Sequence, residues 1–172
     1  MTDSRSRSTT DSRSSSDDSR SRPHSRHHAR EIALQILYRY DVGASGAKNG
    51  ESTPIPTGMA LADDLKKHFE HFQVTEGVRE FAAELVVGTL AETARLDGEI
   101  EKYANNWKIA RMALIDRNLL RMALFEMSRF KDIPAAITID EAVELAKQFG
   151  TADTSAFVNA ILDSYRKTSL AG

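Results

Sequence analysis

At 172 residues, with 23 basic and 25 acidic side chains, the chain suits one domain that buries a single core, plus a tail. It contains no cysteine, which excludes a disulfide framework and thiolate zinc sites and favours a reducing compartment, so we expect a cytoplasmic protein. No apolar run approaches the ~20 residues that are needed to cross a bilayer, and we expect no membrane association.

The N-terminal segment differs sharply in composition from the rest. Residues 1–24 are a low-complexity run of Ser, Arg and Asp that cannot bury enough apolar surface to order, so we predict a disordered tail there and a folded domain over 25–172. Residues 1–30 hold seven arginines and four aspartates, which leaves 16 basic and 21 acidic residues in the remainder. Such a basic arm often meets nucleic acid, although for residues 1–22 alone a solvated tail is the favoured interpretation.

Apolar residues recur at helical spacing along most of the remaining chain. This spacing predicts helices over 27–41, 59–72, 75–104, 114–130, 138–149 and from Asp153 or Thr154 onward. Gly43 and Gly46 end the first helix, and two prolines make 43–58 a flexible loop. A break near Leu96–Gly98 divides the third helical segment.

The fourth predicted helix, 114–130, is apolar on nearly every face, which is typical of a central, buried helix. Thr138 then begins the pattern T-I-D-E, a capping box that predicts a helix start with Glu141 at its third position. Residues 135–139 have a composition that also suits an extended segment, but no other segment offers a partner strand. We therefore predict an all-α bundle of six or seven helices without internal repeats.

Motifs that would carry catalysis are missing from the sequence. There is no P-loop, no dinucleotide glycine fingerprint and no H-E-x-x-H. His24, His27 and His28 form the nearest candidate metal site, but no carboxylate completes the set, and exposed histidines beside a basic arm are the favoured interpretation. We predict no catalytic residue, no metal and no cofactor.

Two segments remain as candidates for a binding surface. Arg26 and Arg30 open the first helix, where guanidinium groups can contact phosphates and stack on bases. Residues 149–159 form a glycine turn followed by a helix start, whose N–H groups can face an anion. Phe157 lies one turn into that helix. An exposed ring would stack on a single-stranded base, whereas its spacing relative to the apolar residues that follow favours the core.

Five motifs follow one another along the chain. They are R-x-x-A-R-E-x-A-L-Q-x-L-Y (26–38), I-D-R-x-L-L-R-M-A-L-x-E (115–126), D-I-P (132–134), I-D-E-A-V-E-L-A-K-x-F-G (139–150) and D-x-S-x-F-V-N-x-x-L-D (153–163). In sequence, order and spacing they resemble the NusB transcription antitermination proteins, from residue 26 to about 166. The tail and the 43–58 loop lie outside the resemblance.

The resemblance implies an all-helical, non-enzymatic protein, either a monomer or a homodimer. NusB-like proteins pair with the ribosomal protein NusE, bind the boxA element of nascent RNA and join the RNA polymerase antitermination complex, notably on ribosomal RNA operons. The positions that correspond to the family's RNA contacts are Arg26, Arg30, Asp153 and Phe157, which implies a surface place for the Phe157 ring. The NusE-facing positions correspond to Tyr38 and Glu126.

The chain departs from the family pattern at several positions. Family members often carry arginine at the positions of His27 and His28, glycine at Ala160 and asparagine at Asp140.

Two other functions stay open. A NusB-like domain precedes the catalytic domain of some RNA cytosine methyltransferases, so the chain could be a detached domain of that lineage, although it has no cysteine nucleophile and no Gly-rich cofactor turn. A helical protein-interaction module is the third hypothesis.

Overall fold

The computed structural model describes residues 18–46, 49–105 and 107–170. Within these ranges the chain forms seven α-helices and no strand, which confirms the predicted all-α bundle. The helices are α1 (Asp18–Ala44), α2 (Gly58–His71), α3 (Glu76–Ala91), α4 (Thr93–Tyr103), α5 (Leu114–Arg129), α6 (Ala135–Phe149) and α7 (Thr154–Ser169). A short 3₁₀ turn, Ile109–Arg111, precedes α5. None of the helices in the described ranges combines the length and the apolar character that a membrane span requires.

Helix α1 begins at Asp18, well before the predicted start at residue 27. Residues 18–24, which composition alone assigns to the tail, continue this helix, and residues 1–17 lie outside the described part of the chain. Extending an existing helix by one residue is far easier than nucleating a new one. The buried stripe that begins at Ala29 therefore allows the helix to continue into a segment that would not form one alone.

Helix α5 is the centre of the bundle, as its apolar composition predicted. It packs against α1, α3, α4, α6 and α7. Nearly every side chain from Asn118 to Met127 is buried. Two further close pairs, α1 with α3 and α6 with α7, surround it. Helices α1, α6 and α7 are thereby held around one core.

The third predicted helical segment divides at Glu92, and the expectation of a break at Leu96–Gly98 was wrong. Thr93 explains the position of the break, because its Oγ1 donates to the carbonyl oxygen of Thr89 at 3.0 Å and so satisfies a group in the last turn of α3. Glu92 itself is anchored to α5, where a hydrogen bond from Arg129 lowers the pKa of the Glu92 carboxyl to about 2.

Helix α6 begins at Ala135, directly after Pro134, so the predicted start at Thr138 was wrong. The alternative of an extended segment over 135–139 was wrong as well. Thr138 lies inside the helix, is 2% exposed and donates from Oγ1 to Glu126 Oε1 at 2.9 Å. The Thr138 hydroxyl, which the sequence pattern predicts to cap the start of a helix, instead forms a hydrogen bond with Glu126 of α5.

Two methionines, one buried and one exposed, allow a matched test of how much the core around α5 contributes to stability. Met122 of α5 is 2% exposed, whereas Met59 of α2 is 91% exposed. We expect Met122→Ala to lower the free energy of unfolding by about 2–5 kcal/mol, because it leaves a cavity at the centre of the bundle. Met59→Ala should change it by less than about 0.5 kcal/mol. Urea unfolding followed by circular dichroism measures both, and equal losses would contradict the central position of α5.

Candidate nucleic-acid interface

Arg26 is an accessible arginine of α1, one turn before Arg30. Its side chain is 41% exposed and its Nη2 lies 3.3 Å from Oδ2 of Asp132, which is 67% exposed. The guanidinium also lies over the ring of Phe81, 5.5 Å from the centroid. Exposed ion pairs of this kind contribute little free energy. A phosphate could therefore replace Asp132 as the partner of Arg26.

Arg30 lies one turn further along α1 in a different environment. It is 3% exposed and Glu126 is 1% exposed. The Arg30 Nε donates to Glu126 Oε2 at 2.9 Å and its Nη2 donates to Oε1 at 2.5 Å. Thr138 adds a further hydrogen bond to the same carboxylate. Arg30 and Glu126, which the family resemblance assigns to an RNA-binding and a NusE-binding surface, pair with each other inside the protein.

A further acidic group, which belongs to α6, faces residues 27–30 of α1. Glu141 Oε2 accepts a hydrogen bond from His27 Nδ1 and lies 3.8 Å from Arg30 Nη1. Together with Asp132, it places carboxylates beside the three basic side chains of this turn. Residues 26–30 of α1 thus form a less positive surface than their sequence suggests.

The other predicted RNA contacts lie at the start of α7, which begins at Thr154 as predicted. The turn before it is tight, because a Cβ added to Gly150 would lie 2.5 Å from Cβ of Thr154. Thr154 is buried, accepts a hydrogen bond from the N–H of Thr151 at 3.0 Å and donates to Asp116 Oδ1 at 3.0 Å. Asp116 belongs to the first turn of α5, so this side chain ties the two helix starts together.

A pocket of about 240 Å³ opens at this junction. Its lining residues come from the α4–α5 connection, the start of α5 and the start of α7, and are Trp107, Met112, Ala113, Asp116, Thr151, Asp153, Thr154 and Phe157. Asp153 is exposed and makes no capping hydrogen bond with its side chain. Phe157 is half-buried, so its ring both packs against the core, as the spacing indicated, and reaches the pocket.

Trp107 is the residue that the sequence reasoning missed. Helical spacing makes it look like a continuation of the apolar pattern of α4, but that helix ends at Tyr103. Asn105 then adopts a positive φ of 37°, and Trp107 follows in the connecting segment, 54% exposed. Its ring meets Phe157 edge-on, with centroids 6.3 Å apart and planes inclined at 64°. The polar residues on either side of Trp107 in the sequence, Asn105, Asn106 and Lys108, could have indicated that its side chain is exposed.

Tyr38 lies two turns beyond Arg30 on α1 and is 38% exposed. It is therefore the accessible member of the two positions that the resemblance assigns to NusE, because the carboxylate of Glu126 does not reach the surface. The structure does not bring Tyr38 and Glu126 together into one surface.

The fold and these surfaces define a small, all-helical binding protein with an exposed arginine on α1 and an aromatic pocket at the start of α7. Residues 27–167 match the NusB family, and the chain belongs to that family. The transcription antitermination protein NusB of Desulfitobacterium hafniense is 42% identical over 139 residues, which cover 81% of this chain and 86% of that protein. The protein of the same name from Desulforapulum autotrophicum is 40% identical over 141 residues, which cover 82% of this chain and 90% of that protein.

Solved structures agree with this assignment. T. maritima NusB has a TM-score of 0.67 and 29% identity, and the match covers 83% of this chain and 91% of that chain. A chain in the crystal structure of the antitermination factors NusB and NusE in complex with dsRNA has a TM-score of 0.66 and 25% identity, covering 84% of this chain and 97% of that chain.

Arg26 and Arg30 of α1 should respond differently to the same substitution. We expect Arg30→Ala to lower the free energy of unfolding by about 3–5 kcal/mol, because Glu126 would keep a buried charge without its partner. Arg26→Ala removes an exposed pair and should cost less than about 1 kcal/mol. Urea unfolding at neutral pH measures both. An Arg30→Ala variant as stable as Arg26→Ala would contradict the structural role of this ion pair.

Proposed function

We propose that this chain is a non-catalytic transcription antitermination factor of the cytoplasm. It binds boxA-type single-stranded RNA together with the ribosomal protein NusE and joins the RNA polymerase antitermination complex, notably during ribosomal RNA transcription. The observation that carries the proposal is the likeness of nearly the whole described chain to a chain in the solved complex of NusB and NusE with dsRNA.

The pocket at the start of α7 favours RNA with unpaired bases. Bases within an A-form duplex are stacked on one another and their faces are covered, whereas single-stranded segments can place a base against an aromatic side chain. Phe157 and Trp107 supply two such rings beside Asp153. Arg26 would contact the phosphate backbone at the other end of the surface.

The charge of the protein explains why a partner is needed. Sequence-independent affinity for RNA comes from phosphate neutralisation by basic side chains. Residues 31–172 hold 16 basic and 21 acidic residues, and Arg26 is already paired with Asp132. A basic ribosomal protein bound beside the RNA would supply the missing positive charge. Tyr38, which is accessible on α1, is the position that we assign to the contact with NusE.

A titration with and without NusE tests the shared surface. We expect the chain to bind fluorescein-labelled boxA RNA weakly alone and more tightly with NusE, because the partner adds positive charge. The measurement is fluorescence anisotropy at two salt concentrations. Tyr38→Ala should reduce the gain that NusE provides and leave the affinity of the chain alone unchanged. RNA affinity that does not respond to NusE would contradict the proposal.

Phe157 tests the contribution of the pocket. We expect Phe157→Ala to weaken binding of the same RNA by about 1–3 kcal/mol, which is the usual value of one base–aromatic stack. Phe157→Tyr keeps a ring of the same shape and should bind within a few-fold of the unmodified chain. Because Phe157 also packs against the core, circular dichroism should first show that both variants are folded. A folded Phe157→Ala variant that binds the RNA with unchanged affinity would contradict the stacking role of Phe157.

A further inference from the structure

We propose that a groove between α3 and α5 is a docking site for an amphipathic helix of a protein partner. The apolar side of that helix would meet Val87 and Phe125, and its basic residues would face glutamates of α3. The groove shares no residue with the positions that we assign to RNA and to NusE. The proposal therefore adds a second protein-binding surface to the proposed function.

The groove is open to solvent and has a volume of about 720 Å³. Its lining residues belong to α3, to the turn that follows α3 and to the last part of α5, and are Ala83, Glu84, Val87, Gly88, Ala91, Glu92, Phe125, Arg129 and Phe130. A Cβ added to Gly88 would overlap the ring of Phe125. Only glycine therefore lets this ring lie directly against the backbone of α3, where the two residues form the floor of the groove.

The sides of the groove are apolar and partly exposed. Ala83, Val87 and Ala91 follow one another at intervals of four residues and so lie on one face of α3. Val87 is 45% exposed. On the α5 side, the ring of Phe130 meets that of Phe125 edge-on, with centroids 6.1 Å apart. The small side chains of α3 would let a second helix pack closely on this face and cover Val87.

Three glutamates precede this apolar patch on the same face of α3. Glu76, Glu80 and Glu84 are exposed and also recur at intervals of four residues. Like charges at this spacing repel each other and weaken a helix. The neighbouring Arg79 is directed elsewhere, since its Nε donates to the carbonyl oxygen of Val74. Basic side chains of a partner helix would relieve the repulsion among these glutamates.

The other end of α3 carries the opposite charge. Arg95 and Arg129 both pair with Glu92, and each Nε lies 3.0 Å from one of its carboxylate oxygens. Two arginines thus share one carboxylate. Helices favour acidic residues near their N-terminus and basic residues near their C-terminus. A partner helix that runs antiparallel to α3 would therefore place its acidic first turn beside the two arginines and its basic last turns beside the glutamates.

The same charges favour a basic helix over other occupants. Nucleic acid is disfavoured, because its phosphates would meet the glutamates of α3. A second copy of the chain would bring the same excess of carboxylates over arginines, so negative charge would remain in the interface. A helix with several lysines or arginines in its last turns would neutralise that charge.

A designed peptide of about 18 residues provides the probe, because it is long enough to follow the ~22 Å of α3. One face carries leucine and alanine, and the last two turns carry three lysines. In a control peptide, glutamates replace these lysines. We expect the lysine peptide to bind the full chain at least about tenfold more tightly at low salt, measured by anisotropy of a fluorescein label. In NMR spectra of the isotope-labelled chain, the amide shifts should centre on Val87 and Gly88.

Two exposed apolar residues make a matched pair of variants. Val87 in the groove is 45% exposed, and Ile137 on α6 is 48% exposed. Val87→Asp should weaken binding of the lysine peptide by at least about tenfold, because the peptide would bury a charge in place of an apolar side chain. Ile137→Asp should change it by less than about twofold. Circular dichroism shows whether both variants are folded.

A charge reversal tests the role of the glutamates separately. A variant with Glu80→Lys and Glu84→Lys should bind the glutamate peptide more tightly than the lysine peptide. Both positions are exposed on α3, so the reversal should leave the fold intact. An unchanged preference for the lysine peptide would overturn the charge complementarity.

The remaining outcomes identify what covers the groove. Equal binding by Val87→Asp and Ile137→Asp, or amide shifts centred elsewhere, would overturn the docking site. A dimer in sedimentation that Val87→Asp dissociates would show a second copy in the groove and overturn the partner helix. Binding of boxA RNA with NusE should be unchanged in folded Val87→Asp, and its loss would overturn a separate surface. If the unmodified chain binds the lysine peptide but no boxA RNA with NusE, the proposed function alone falls.

Discussion

The ion pair between Arg30 and Glu126 is the interaction on which the arrangement of the helices depends. It is buried, doubly hydrogen-bonded and completed by Thr138, so it joins α1, α5 and α6 at one point. A buried charge is tolerated only with a partner in good geometry. Helix α1 can therefore dock on α5 in one rotational setting, and that setting places Arg26, one turn earlier, at the surface.

A second ion pair fixes the C-terminal end of α1. Burial alone would raise the pKa of Asp41, but hydrogen bonds from Arg117 and Asn118 and the nearby charge of Arg121 hold it below its ordinary value. The Arg117 Nε lies 2.7 Å from Asp41 Oδ2. Since all three partners belong to α5, α1 is attached to the same central helix at two points, Arg30 and Asp41. The position of Tyr38 between them follows from these two attachments.

The fold could be predicted from the sequence further than the site could. Helical periodicity identified the helices. The central place of α5 could be predicted because a helix that is buried on several faces has apolar residues on nearly all of them. It could not show that Arg30 and Glu126 meet, since spacing along the chain indicates only which side chains share a face of one helix. Thr138 matched a local capping pattern, but its hydroxyl is used by a distant carboxylate. Trp107 followed the apolar spacing of α4, and only the turn at Asn105 moves it to the pocket.

Helix α6 connects the two ends of the proposed RNA surface. Its first turn contributes Thr138 beside Arg30, and its last residue precedes the turn at Gly150 that leads to the pocket. With 15 residues, it rises about 22 Å. An RNA that engages both ends must extend over a comparable distance, and each contact then raises the effective concentration of the other. Two weak contacts near the ends of α6 would together hold the RNA more tightly than either contact alone.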